Sequence, residues 1–140
     1  RFPLPLKTYG ARVHHATLLD GEMVVDEVSP GMQRRRFLAY DMMALHGDNK
    51  LVKIPFVDRI ALIPSHVTNP RNAFCAQAGP DGSYMVGKEA FTVRPKDFFP
   101  LTSTETFIRN FIPKLTHECD GLIFQPSRTS YVTGTMDTLL

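Results

Sequence analysis

Two acidic turns stand 100 positions apart in this chain: Asp20-Gly21-Glu22 within TLLDGEMVVD, and Asp120-Gly121 within CDGLIFQP. Each sets a carboxylate beside a glycine at the edge of a β-rich apolar run, so that backbone and acid can approach a ligand together. Hard divalent cations take oxygen ligands, and phosphoryl chemistry rests on positioning and charge neutralisation. The residue types are therefore those of a nucleotide–metal site. A single Asp-Gly is a common turn dipeptide and means little. Two of them, with the aromatic-acid run Phe37-Leu38-Ala39-Tyr40-Asp41 between, form a set. Tyr40 offers a flat, electron-rich aromatic face. Lys96 and Arg94, within RPK, are cations that can meet phosphate, and Asp41 is suited to bracing the strand. The plainer readings stay open on these residues alone: Asp20 and Glu22 as solvated turn acids, Tyr40 as a half-buried strand residue, Lys96 and Arg94 as surface charges.

The elements that must position them follow from periodicity and turn chemistry. Residues 1 to about 15 read as an irregular lead-in and a short helix. Leu18-Leu19 and Met23-Val24-Val25 flank the first acidic turn and suit a strand, Pro30-Gly31 marks a turn, and residues 37–41 suit a second strand. Residues 16–42 are thus predicted to be a β-hairpin with a long connection. Pro55 opens a helix carrying Val57, Ile60 and Ala61 at i, i+3, i+4, ended by Pro64. The stretch 65–90, with Asn69-Pro70 and Gly79-Pro80-Asp81-Gly82, reads as exposed loop. Phe91-Thr92-Val93 is a short strand. Thr102-Ser103-Thr104-Glu105 has the form of a capping box. Phe107, Phe111 and Leu115 follow on one helix face, with Pro113 ending or kinking that helix near Phe111. Leu122-Ile123-Phe124 is the last predicted strand. Mixed elements with strands grouped in hairpins favour an α+β fold over a doubly wound parallel sheet.

At 140 residues the chain can build one modest domain, and 43% apolar with 21% charged residues is the composition of an ordinary folded protein. The apolar runs are too short for a membrane-spanning helix, and RFPLPLKTYG lacks the apolar core of a signal peptide. A net charge of +2 is too small to argue for nucleic acid. The one basic cluster, Arg34-Arg35-Arg36, reads as the solvated start of a buried strand. Cys75 and Cys119 are too sparse for a disulfide framework or a zinc site, and are expected reduced and partly buried, as in an intracellular protein. His14-His15 have no metal-ligand spacing and are expected on a helix surface.

TLLDGEMVVD, RRRFLAYDMMAL and ECDGLIFQP, in this order and spacing, closely resemble three motifs of the covalent nucleotidyltransferases: the "DGE" strand, the aromatic strand and the "DG" strand. Within that group the chain is most similar to the guanylyltransferase of mRNA capping enzymes. The third motif starts with Asp120 where the ligases as a rule place Glu, and FTVRPKDFFPL resembles the cellular, phosphatase-linked type. The resemblance implies an incomplete nucleotidyltransferase (ATP-grasp-like) domain of α+β class, with mostly antiparallel sheets and flanking helices. It implies that a lysine attacks the α-phosphate of GTP, that pyrophosphate leaves, and that the lysine-bound GMP then passes to the 5′-diphosphate end of nascent RNA, with Mg²⁺ or Mn²⁺. Glu22 would serve ribose and metal, Asp120 the metal near the α-phosphate, Tyr40 would stack on guanine, Gly21 would permit close approach, and Lys96 would help bind the nucleotide. A nuclear protein with the RNA polymerase II C-terminal tail as a partner, and no membrane, is the matching expectation.

The family's nucleophile lies in a Lys-x-Asp-Gly motif several dozen residues before the "DGE" strand. Lys7-Thr8-Tyr9-Gly10 lacks the acid and lies only ten residues before Thr17, so Lys7 is rejected. The attacking lysine is expected upstream of Arg1, and the last motif and an OB-fold after Leu140. No catalytic residue is therefore assigned within the chain, which is expected to be an internal piece, inactive by itself. Two alternatives remain at this point: a ligase-like ATP-dependent adenylyltransferase, and a non-catalytic nucleotide-binding module without the lysine.

Overall fold

The structure, a computed structural model, describes residues 14–77 and 89–134. Strands β1 (Leu18–Ser29) and β2 (Met32–Ala44) pair antiparallel through a two-residue turn, Pro30-Gly31, rather than the long connection expected. Gly31 has φ +77°, a backbone conformation that only glycine adopts without cost. β2 is the central strand, and β3 (Thr92–Pro95) runs parallel to it on the far side. A parallel pairing needs a long crossover, and residues 45–91 supply it with α1 (Phe56–Ile63) and α2 (Asn69–Gln77). The class is α+β, as expected.

Two irregularities in the β1–β2 ladder set the core. Register shifts lie between Leu18 and Leu19 and between Asp20 and Gly21, leaving Met43 and Tyr40 as extra residues on β2. Each bulge adds one residue to the usual alternation of two. Phe37, Ala39, Met42 and Leu45 accordingly reach the same core, at steps of two, three and three. Ile63, with Val67 one turn further on, completes that core from the helical side.

Pro64 does not end the helix. A π turn, Pro64–Thr68, joins α1 to α2, with the Asn69 N–H donating to Pro64 O, and the Ser65 hydroxyl donates to the Ala61 and Leu62 carbonyls at 3.2 Å. The widened turn absorbs the missing proline donor, so the first part of the expected loop 65–90 is helix. Gly79-Pro80-Asp81-Gly82, like Lys7 and most of the expected N-terminal helix, lies outside the described residues. His14 is irregular rather than helical, its ring bonded to the Thr17 hydroxyl and the His66 carbonyl.

α3 (Thr104–Asn110) ends where Pro113 predicts, with Phe107 and Phe111 stacked 4.8 Å apart and Phe99 against both. Leu115 falls beyond it. The expected capping box does not form. Ser103 makes no side-chain cap, and Glu105 instead pairs with Arg109 one turn on. The expected strand Leu122-Ile123-Phe124 is irregular, with no ladder partner among the described residues. An unpaired strand leaves its backbone groups unsatisfied. Cys75 is half-buried, whereas Cys119, expected partly buried, is exposed; both are free thiols.

The C-terminal arm nevertheless has fixed points. Pro55 offers no side-chain cap to α1, and the orphan N–H groups of Phe56 and Val57 donate instead to the carbonyls of Thr129 (2.9 Å) and Ser127 (3.0 Å). Tyr131 N–H donates to Val52 O at 2.8 Å. Residues 127–131 are thereby clamped to the start of α1.

Candidate functional site

The bulge at Tyr40 gathers the first acidic turn and the aromatic strand into one place. Asp20 pairs with Asp41, Gly21 with Ala39 and Glu22 with Leu38, so the unpaired Tyr40 is set beside the acidic turn. Gly21 is required there by space. A Cβ at this position would stand 2.5 Å from Leu38 O and 2.5 Å from Cζ of Phe37. The close approach that glycine permits is thus to the neighbouring strand of the chain itself.

β3 brings Lys96 to the same point from the other side of β2. Pro95 pairs with Ala39 and has no N–H, and the Lys96 N–H takes up the ladder, donating to Ala39 O at 2.8 Å. Its Nζ donates to Oε1 of Glu22 at 2.5 Å and lies 5.9 Å from the centroid of the Tyr40 ring. The side chains of Lys96 and Glu22 are 31% and 42% exposed, so this ion pair faces solvent.

Behind it lies a drier layer. Asp20 accepts from the Gly21 N–H (3.0 Å) and from the Tyr131 hydroxyl (2.8 Å). Burial, then the hydrogen bond to Asp20 and the charges of Asp20 and Asp41, push the Tyr131 phenol up to about 12. Burial, then the charge of Asp20 and its hydrogen bond, also raise Tyr40. Both rings therefore stay neutral at ordinary pH, and Tyr40 presents an uncharged aromatic face. Asp41 is buried and grips Arg59 of α1 with both oxygens, at 2.7 and 2.8 Å.

Of the residues singled out in the sequence, Gly21, Glu22, Tyr40 and Lys96 come together. Asp120 stands outside this hydrogen-bonded group, exposed in the irregular stretch after α3, and a Cβ at Gly121 would meet nothing within 4 Å. Among the described residues no three His, Cys, Asp or Glu side chains gather as a preformed metal cage. Sequence reasoning missed Arg59 and Tyr131. Their partners lie 18 and 111 positions away, and no local pattern announces such pairs.

Comparison with known proteins identifies the family. The family model for "mRNA capping enzyme, catalytic domain" matches residues 1–140. The chain is 36% identical over 128 residues to an mRNA-capping enzyme of Caenorhabditis elegans, covering 89% of this chain and 20% of that protein. It is 32% identical over 136 residues to the mRNA-capping enzyme subunit alpha of Neurospora crassa, covering 96% of this chain and 32% of that protein. A third relative, the mRNA-capping enzyme of Mus musculus, is 34% identical over 125 residues, 89% of this chain and 20% of that protein. The chain thus spans between a fifth and a third of the length of these curated relatives. With a match along its whole length and the acidic turn, aromatic strand and Lys96 assembled in one place, the chain belongs to the family of mRNA capping enzyme catalytic domains.

Proposed function

We propose that this chain is the central part of a guanylyltransferase domain with the nucleotidyltransferase fold. The intact protein transfers GMP from GTP, with release of pyrophosphate, through a lysine–GMP intermediate, to the 5′-diphosphate end of nascent RNA, the lysine leaving in the second step. The observation that carries the reading is the meeting of Glu22, Tyr40 and Lys96 at one bulge of β2. The neutral Tyr40 ring stacks on the guanine. The Glu22–Lys96 ion pair holds both groups ready at the solvent boundary. Exposed pairs of this kind contribute only ~0–1 kcal/mol, so an incoming nucleotide exchanges it at small cost. Glu22 then accepts from a ribose hydroxyl, and Lys96 turns to the nucleotide's acceptor oxygens.

Magnesium commonly binds through one or two carboxylates plus substrate phosphates and needs no closed cage. This reading assigns it to Glu22, at the site, together with Asp120, and when bound it would neutralise charge on the phosphates. The reading places the attacking lysine in sequence preceding residue 1, and the last motif and OB-fold after residue 140. Activity therefore belongs to the intact protein. Nuclear action on nascent transcripts, beside the RNA polymerase II C-terminal tail, goes with it.

The test is labelling of the intact protein from α-³²P-GTP with Mg²⁺ or Mn²⁺. An acid-labile lysine adduct is expected. Glu22→Ala should lower labelling by about a hundredfold or more while circular dichroism stays unchanged, as for other lost charge-stabilising groups. Labelling from ATP but not GTP would replace this reading with a ligase-like adenylyltransferase. Near-normal labelling of the Glu22 variant would remove the residue from the site.

A further inference from the structure

Resting on the nucleotide-site reading above, we propose that Arg59 is a positioning residue. It sets the aim of Tyr40 and of the β1 acidic turn, and through them the affinity of the site for a purine nucleotide. Arg59 is 1% exposed, closed off from solvent. Its Nε and Nη2 take both oxygens of Asp41, the residue next to Tyr40. Its Nη1 donates to Ile54 O (2.5 Å) and Thr129 O (3.1 Å). Thr129 lies two residues before Tyr131, whose ring centroid is 5.8 Å from the guanidinium and whose hydroxyl holds Asp20. One planar fork therefore ties down both sides of the bulge, the Tyr40-Asp41 step on β2 and the Asp20 carboxylate on β1.

The bulge makes such a tie necessary. A bulged residue gives up its place in the ladder, so the ladder no longer fixes the direction of its side chain. In β2 the rung at Asp20–Asp41 must hold Tyr40 instead, and that rung is held by Arg59. Lysine carries the same charge but is a point donor, without the two parallel N–H groups that grip a carboxylate. The effect of Arg59→Lys should therefore reach the ligand through Tyr40.

The experiment uses the intact protein in multiple-turnover GMP transfer from GTP to RNA with a 5′-diphosphate end. Arg59→Lys should raise KM for GTP about tenfold, within the range for a weakened base–aromatic stack, while kcat stays within about threefold. On a Tyr40→Ala background the same change should raise KM less than about twofold, because residues acting as a unit are not additive. A merely structural loss would lower the active fraction, seen as kcat, and leave KM unmoved. Unchanged KM, or fully additive KM effects in the double variant, would overturn the proposal. Should Arg59→Lys fail to fold, Asp41→Asn carries the same test, with the same two outcomes. Absence of saturable GTP labelling in the unaltered protein would instead sink the underlying nucleotide reading. Saturable labelling with unaffected variants sinks only the role of Arg59.

Discussion

A methyl group on Gly21 has no room. It would press on the Leu38 carbonyl oxygen, which belongs to the ladder backbone and cannot swing aside, and on the Phe37 ring. Gly21→Ala should therefore cost about 1–3 kcal/mol, the usual penalty for overpacking, read as a lower urea midpoint. An unchanged midpoint would mean that β2 yields at Leu38. Gly121 differs, since nothing lies within 4 Å of a Cβ built there. The two acidic turns look alike in sequence, yet only the first is packed against its neighbour strand. At this scale the sequence makes Glu22, Tyr40 and Lys96 legible, because their types suit one chemistry. It hides what aims them. The Arg59 fork and the Tyr131 hydroxyl meet their partners only once the chain has folded, and the extra residue that turns Tyr40 leaves no mark in the alternation of RRRFLAYDMMAL.

Between elements, the hairpin is locked to the C-terminal arm through Asp26. This side chain is fully buried on β1 and accepts from the Thr116 hydroxyl at 2.6 Å. It also meets Nδ1 of His117 at 3.0 Å and the Arg36 guanidinium at 2.9 Å. Next to it, the Glu27 N–H donates to Thr116 O at 2.7 Å. Burial alone would raise the Asp26 carboxyl, but the bonds from Thr116 and His117 and the charge of Arg36 outweigh it and hold it below the ordinary carboxylate value. A depressed acid stabilises the fold above its unfolded pKa and loses that contribution as pH falls through the folded one. Stability of the intact protein should thus decline on acidification from about pH 4 downward. Asp26→Asn should lower stability near neutrality by about 1–3 kcal/mol and flatten this acid limb, measured by denaturant melts across pH. An acid limb as steep as that of the unaltered protein would assign the loss to other carboxylates. The hairpin itself was legible from Pro30-Gly31 and its apolar flanks. The helix through Pro64 was not, because proline's local veto was lifted by a π turn and by Ser65, neither of which the periodicity encodes.

At the scale of the molecule, the buried apolar core among the described residues is small, centred on Ala39, Met42, Ile63 and Val67. Large apolar side chains meanwhile lie open, Leu101 at 72% and Ile123 at 61% exposure, with Phe99, Ile108 and Val132 also on the surface. The α+β class was legible because elements are local; the missing last strand was not, because a strand exists only with a partner and Leu122-Ile123-Phe124 has none among the described residues. Relatives of this chain are three to five times its length, since it covers 32% of one and 20% of two others. Small cores give marginal stability, and exposed apolar area binds hydrophobic dyes. Residues 1–140 expressed alone should bind anilinonaphthalene sulfonate and unfold in urea with a shallow slope. The intact protein should do neither, because the slope scales with the surface exposed on unfolding. A steep transition in the isolated chain with no dye signal would show that Leu101 and Ile123 are ordinary surface residues. The irregular 122–124 segment would then be the native state of this stretch.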